Sequence, residues 1–159
     1  MKKIIFVLFF IFSFGEVFSM ENNIIIPTPY SLKYRNKILQ LKNIYLISDF
    51  NDERIFNLAE EIFPEIKISK NFLGKELFTV IYLSNSQNQE VKNYLKIFES
   101  NFSNFNLLGE EGYFILVKNY KNKNIIICMA NNLEGIFYSL QTLNQLIYKE
   151  KDKYYLREL

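Results

Sequence analysis

The chain has 159 residues, 49% of them apolar and 17% aromatic, a composition that describes a folded globular domain and excludes disorder as its main state. Its 19 basic and 17 acidic side chains leave a formal charge of +2, too balanced for the basic stripe with which a protein holds nucleic acid. There is no histidine and only one cysteine, Cys128, so Ser-His and Cys-His nucleophile pairs, His-ligated or multi-cysteine metal sites and an internal disulfide are all excluded within these residues.

Lys2 and Lys3 precede an apolar run over 4–14, and Val17 and Ser19 then stand where a cleavage site has its small residues. This is the pattern of a secretory signal peptide over 1–19, cut after Ser19 to leave 20–159. As a helix the run rises only ~16 Å against a bilayer core of ~30 Å, so it is too short to anchor the chain. No cysteine near the cut offers a lipid attachment point. The expected product is secreted or periplasmic, with no stable membrane anchor after cleavage.

The stretch Ile24-Ile25-Ile26-Pro27-Thr28-Pro29-Tyr30 is extended, because each proline fixes its own φ and keeps its predecessor out of the helical region. Short β-rich runs over 38–41 and 44–47, separated by Lys42-Asn43, suit two adjacent strands with a tight connection. The period then changes: Ile55, Leu58, Ala59 and Ile62 recur at helical spacing, Asn51 or Asp52 can cap the start, and Pro64 ends it, predicting a helix over 52–63. A short strand over 66–69 and a central strand over 77–83 follow. Beyond a polar loop, Val91, Tyr94, Leu95 and Phe98 mark a short amphipathic helix, and the asparagine-rich 101–106 forms a connection. Runs over 113–117 and 125–129 predict a hairpin with a loose turn over 118–124. Asn131 or Asn132 caps a long helix to about Tyr148, Glu134 completing a capping box with Asn131, and 154–156 closes the chain as a strand.

Strands mixed with two clear helices, and no internal repeat, define a single α+β domain: a mostly antiparallel sheet with two principal helices packed on one face. A doubly wound nucleotide fold fails because the five glycines never approach G-x-G-x-x-G or a P-loop, and no residue pattern calls for a cofactor or a metal. On the last helix Leu133, Ile136, Phe137, Leu140, Leu143, Leu146, Ile147 and Tyr148 spread over roughly 200°, about twice the arc that covers one sheet face. Two explanations stand: deep burial between the sheet and the first helix, or docking against a second body.

The closing unit 112–117, 125–130 and 133–146, with Glu111-Gly112-Tyr113 and the run from Gly135 to Leu146 as its strongest parts, resembles the end of the non-catalytic N-terminal domain of bacterial-type β-N-acetylhexosaminidases, glycoside hydrolase family 20. Ile26-Pro27-Thr28-Pro29 is similar to that domain's first strand, and hyaluronidase-type and O-GlcNAcase-type glycosidases carry a comparable domain. The resemblance covers most of 24–148, the middle matching only in the order of elements. It implies a sheet covered on one face by two helices, lying beside a (β/α)₈ barrel that performs the hydrolysis. Ser139 departs from the family, which has glycine after the tyrosine. The barrel, into which the family's chain continues, is absent from these residues.

The family's chemistry, as the resemblance implies it, uses an adjacent aspartate and glutamate in the barrel, the glutamate protonating the leaving oxygen and the aspartate orienting the substrate's acetamido group. Asp52-Glu53 is such a pair in composition, but at a helix start it reads as a cap. Glu60-Glu61 and Glu110-Glu111 read as solvated charges, so no catalytic residue is expected. Cys128, mid-strand without a basic neighbour, reads as an inert core thiol. Tyr30, Tyr34, Tyr154 and Tyr155 are candidates for stacking on sugars, and Asn101-Phe102-Ser103 matches a glycosylation sequon. The expected role is that of an accessory domain to a separately encoded or lost barrel. The second reading is a free-standing secreted carbohydrate-binding or adhesion module whose partners are glycans.

Overall fold

Two sheets organise residues 31, 33–68, 77–85, 87–98 and 108–159, the part of the chain that the computed structural model describes. The element order is β1 (Ile38–Leu41), β2 (Ile44–Ser48), α1 (Glu53–Ile62), β3 (Lys67–Ile68), β4 (Phe78–Ser84), α2 (Gln89–Ile97), β5 (Tyr113–Tyr120), β6 (Lys123–Ala130), α3 (Leu133–Leu146), β7 (Tyr148–Glu150) and β8 (Lys153–Arg157). The expected signal peptide, the proline segment over 24–30, the connection over 101–106 and the Asn101 sequon lie outside the described residues.

The larger sheet has the order β3-β2-β4-β6-β5, and the smaller β1-β8-β7. The α+β class holds, and five of the eight described strands have an antiparallel neighbour. Within the larger sheet, however, β2 pairs in parallel with β3 and β4, and β4 with β6. The cause is in the connections. Helix α1 carries the chain from β2 back to the start of β3, and the β5–β6 hairpin returns β6 alongside β4 in the same sense. Strands β1 and β2, expected as neighbours, belong to different sheets: the Lys42-Asn43 connection, with Asn43 in the left-handed region (φ 45°), swings the chain from one to the other.

Alternation along β4 and β6 divides the core. Ile81, Leu83, Ile126, Cys128 and Ala130 face a cluster built with α1, α3 and the small sheet, whereas Val80, Tyr82, Ile125, Ile127 and Met129 face one built with α2. Two helices therefore cover one face, as expected, and a third covers the other. Helix α1 starts at Asp52, whose side chain accepts from the Arg54 N–H, and buries Ile55, Ala59 and Ile62. Helix α2 starts at Asn88, which accepts from Val91, and Glu90 on it accepts from the buried Tyr82 hydroxyl at 2.6 Å.

The predicted hairpin is longer and tighter than the hydrophobic runs suggested. Strands β5 and β6 pair from Tyr113↔Ala130 to Tyr120↔Lys123, leaving only Lys121 (φ 55°) and Asn122 in the turn. Helix α3 ends at Leu146, two residues short of the expected end at about Tyr148. From Ile147 the chain is extended, and β7 and β8 form a second hairpin whose turn, Lys151-Asp152, has both residues at positive φ (46° and 62°), the twist that a two-residue hairpin requires.

Candidate functional site

Helix α3 carries the residues expected to dock a neighbour, and its position is fixed from both ends. Asn132 caps it by accepting from the Gly135 N–H at 3.1 Å, so the cap is the second of the two candidate asparagines. A Cβ on Gly135 would lie 2.6 Å from both the Ala130 Cβ and the Gly112 carbonyl oxygen, and one on Gly112 would sit on the Leu108 carbonyl. Gly135 thus lets the first turn of α3 lie directly on the start of β5, and Gly112 lets the turn before β5 fold back on Leu108. Further along, the Tyr113 hydroxyl and Thr142 Oγ1 lie 2.7 Å apart, and Ser139, fully buried over Cys128, donates to the Ile136 carbonyl at 2.6 Å. Serine thus fits where the resembled family has glycine, because its hydroxyl finds an acceptor within its own helix.

The apolar arc of α3 splits in two. Ile136, Leu140 and Leu143 are fully buried against the sheet. Leu133, Phe137, Leu146 and Ile147 are half-buried on the flanks, and Tyr148 has left the helix for β7 with 44% of its surface exposed. Three of the seven expected docking residues are therefore wholly interior; Leu133, Leu146 and Ile147 also pack against the core, and these three and Phe137 keep part of their surface in water.

Beside Leu133 and Phe137, the starts of α1 and α3 enclose a shallow cleft of about 180 Å³, lined also by Asp52, Arg54, Glu134 and Tyr138. That is below the ~300 Å³ at which small-molecule pockets begin. Arg54 donates to both Asp52 carboxylate oxygens, at 3.0 and 2.9 Å, and holds that carboxyl below the usual carboxylate range. A carboxyl kept ionised in this way serves as a helix cap and is unsuited to donating a proton. Glu53, Glu60 and Glu61 are exposed on α1, and Glu110 and Glu111 are exposed in the turn before β5. None of these carboxylates enters the cleft.

Cys128 is wholly buried, and burial pushes its thiol up to about 12 from an ordinary 9.0. The unfolded chain therefore loses this proton from about pH 9, whereas the folded chain keeps it. The thiol's contribution to stability is complete below pH 9 and declines by roughly 1.4 kcal/mol per pH unit between the two values. Urea midpoints at pH 8 and pH 10 are expected to differ more for the native protein than for Cys128→Ala; equal differences would contradict the assignment. A thiol reagent at neutral pH is expected to label the protein only in denaturant.

The sugar-stacking candidates separate cleanly. Tyr30 lies outside the described residues. Tyr154 points inward, edge-on to Phe63 with centroids 5.5 Å apart. Tyr34 is 44% exposed with the Arg157 guanidinium 5.6 Å from its ring centroid, and Tyr155 stacks on Tyr148 at 5.3 Å and 16°. Tyr148 and Arg157 were not singled out by the sequence, where Tyr148 reads as the end of a helix. The Lys151-Asp152 turn was the signal that would have placed both on a hairpin.

No family model matches the sequence, and no curated protein does. Among solved structures, the fold is similar to that of CpGH84B, with a TM-score of 0.60 and 24% identity over 84% of this chain. It is similar also to CpGH84D, with a TM-score of 0.58 and 19% identity over 84% of this chain. The likeness is one of fold. This chain spans 21% of the first protein and 23% of the second, both family 84 glycoside hydrolases by their names.

Proposed function

We propose that the chain is an exported accessory domain of a glycoside hydrolase of the β-N-acetylhexosaminidase and O-GlcNAcase type, standing N-terminal to a (β/α)₈ barrel and not itself catalytic. The observation that carries this reading is the backbone likeness over 84% of the chain to about a fifth of CpGH84B, a glycoside hydrolase by name. The resemblance of 112–117 and 133–146 to the family 20 domain supports the N-terminal placement. The residual exposure of Leu133, Phe137, Leu146 and Ile147 supports docking of the barrel along the flanks of α3. Leaving such side chains in water forgoes a share of the roughly 1.5–3 kcal/mol that full burial of each provides, so a barrel covering them adds stability to both bodies.

Purified residues 20–159 are expected to give no turnover of a chromogenic N-acetyl-β-glucosaminide. Turnover that survives replacement of Glu53, Glu110 and Glu111 by glutamine overturns the non-catalytic reading. The coding DNA beyond the Leu159 codon, or a neighbouring frame, is expected to encode a barrel with an adjacent Asp-Glu pair. Co-expressed with this chain, that barrel is expected to co-purify with it, and Phe137→Asp is expected to break the complex while leaving the chain folded. Failure of the native pair to co-purify overturns the docking assignment.

A further inference from the structure

The outer face of the small sheet is built differently from every other surface described above. Its inward residues, Leu39, Leu41, Tyr154 and Leu156, complete the core, and alternation turns Tyr155 and Arg157 of β8 to the other side. Tyr148 lies opposite Tyr155 in register on β7, one of the sheet's two edge strands, and its ring stacks on that of Tyr155. Arg157 opposes Ile38 on β1, and its guanidinium lies over Tyr34. Tyr34, Ile38 and Tyr148 are all exposed.

Three features define what fits there. First, the stacked pair leaves the outer ring of Tyr148 at a sheet edge, a flat apolar plate with a hydroxyl at its rim. Second, Arg157 has no carboxylate partner among the described residues, and its Nε, shielded from solvent, has no hydrogen-bond acceptor. The one acidic residue facing outward on β7, Glu150, stands opposite Lys153 in register, so the local charges cancel and the Arg157 charge remains in excess. Third, the face is small. Three strands of at most five residues span about 17 Å by 10–15 Å, roughly 250 Å² at most, against the ~800 Å² that each partner gives to a stable protein complex. A sugar ring needs one aromatic plate and a few polar groups.

We infer that the outer face of the β1-β8-β7 sheet binds an acidic glycan, a uronic-acid ring stacking on Tyr148 beside Tyr155 while its carboxylate pairs with Arg157. The guanidinium offers two parallel N–H donors to a carboxylate, and Tyr34 holds it from behind through the cation–π contact. A neutral sugar satisfies the plate and leaves Arg157 unanswered, so acidic rings are preferred. This site is independent of the accessory-domain reading, since it lies on another surface from the flanks of α3.

The test is titration of the full chain with hexagalacturonate and with chitohexaose, followed by tyrosine fluorescence and two-dimensional NMR. Hexagalacturonate is expected to bind and to shift the signals of Tyr34, Tyr148 and Tyr155, and binding is expected to weaken with salt. Tyr148→Ala and Arg157→Gln are each expected to lower affinity about tenfold, the size of one lost stacking or charge-assisted contact. Tyr148→Phe keeps the plate and is expected to bind as the native chain does. Arg157→Lys keeps the charge and is expected to recover part of the loss, with unchanged urea midpoints showing that the fold is intact. Absence of binding, equal affinity for the neutral chitohexaose, binding indifferent to Tyr148→Ala and Arg157→Gln in folded protein, or a dimer in sedimentation that buries Tyr148 would each overturn the proposal.

Discussion

Leu140→Ala is expected to lower the unfolding free energy by about 2–5 kcal/mol, which is a large share of what a domain of this size possesses. Leu140 is fully buried at the centre of α3, among Ile136 and Leu143 on the helix and Val117, Ile126 and Cys128 on the sheet. Removing three carbons there loses their transfer energy and leaves a cavity that the flanking strands, β5 and β6, are held too firmly to close. Phe137→Ala, on the partly exposed flank of the same helix, is expected to cost the isolated chain less than the roughly 3 kcal/mol lower bound for a buried phenylalanine. Urea unfolding measures both, with the slope unchanged if only stability has moved. Equal losses at the two positions would mean that the flank of α3 is as enclosed as its centre.

Glu158→Ala carries the second large effect, at most about 3–5 kcal/mol, because it takes the carboxylate from a buried cation and leaves it only the Leu159 oxygen. Lys118 Nζ, on a side chain only 8% exposed, lies 3.3 Å from Glu158 Oε1 and donates to the Leu159 main-chain oxygen at 2.8 Å. Burial holds the Lys118 pKa below its ordinary 10.5 even with Glu158 beside it, and the charge of Arg35 pushes the same way. The sign follows from proton counting. Between the folded and unfolded values the unfolded chain binds a proton that the folded lysine gives up, so on Lys118's account stability rises as pH approaches 10.5. Without Glu158 the folded value falls further and that rise begins at lower pH. The gap between the native protein and Glu158→Ala is therefore expected to narrow from pH 7 to pH 10. The double variant Lys118→Met/Glu158→Leu is expected to cost less than Glu158→Ala alone, since it leaves no charge unpaired. A gap that widens with pH, or a strictly additive pair, would show that the two side chains do not interact.

Much of this architecture was legible because the residues declare it locally. The 3.6-residue period of Ile55, Leu58, Ala59 and Ile62, with a cap at Asn51 or Asp52, fixed α1 to within a residue. What remained hidden depends on distant partners. Ile44 to Ile47 and Phe78 to Leu83 read identically whether their neighbours run parallel or antiparallel, since strands buried on both faces show no alternation to read. Tyr148 continues the apolar pattern of α3, yet the hairpin with β8 wins it because Tyr155 offers a stacked ring and Lys151-Asp152 a turn of the right twist. Of the surfaces, the α3 flanks were foreshadowed by an arc too wide for one sheet. The outer face of β8 was only half visible, Tyr34 and Tyr155 being nameable and Arg157 silent until the registers placed it beside them.

Strand β1 is hydrogen-bonded to β8 from Ile38↔Arg157 to Leu41↔Tyr154, and Arg35 and Lys37 extend that ladder to Glu158. A growing polypeptide leaves the ribosome from its amino end at about 5–20 residues per second, so β1, the first of the described strands, waits on the order of ten seconds for the partner that completes it. During that interval Leu39 and Leu41 have no mate, and sticky backbone stands open to other nascent chains. The small sheet can therefore close only after β8, which joins β1 to β7, has been made.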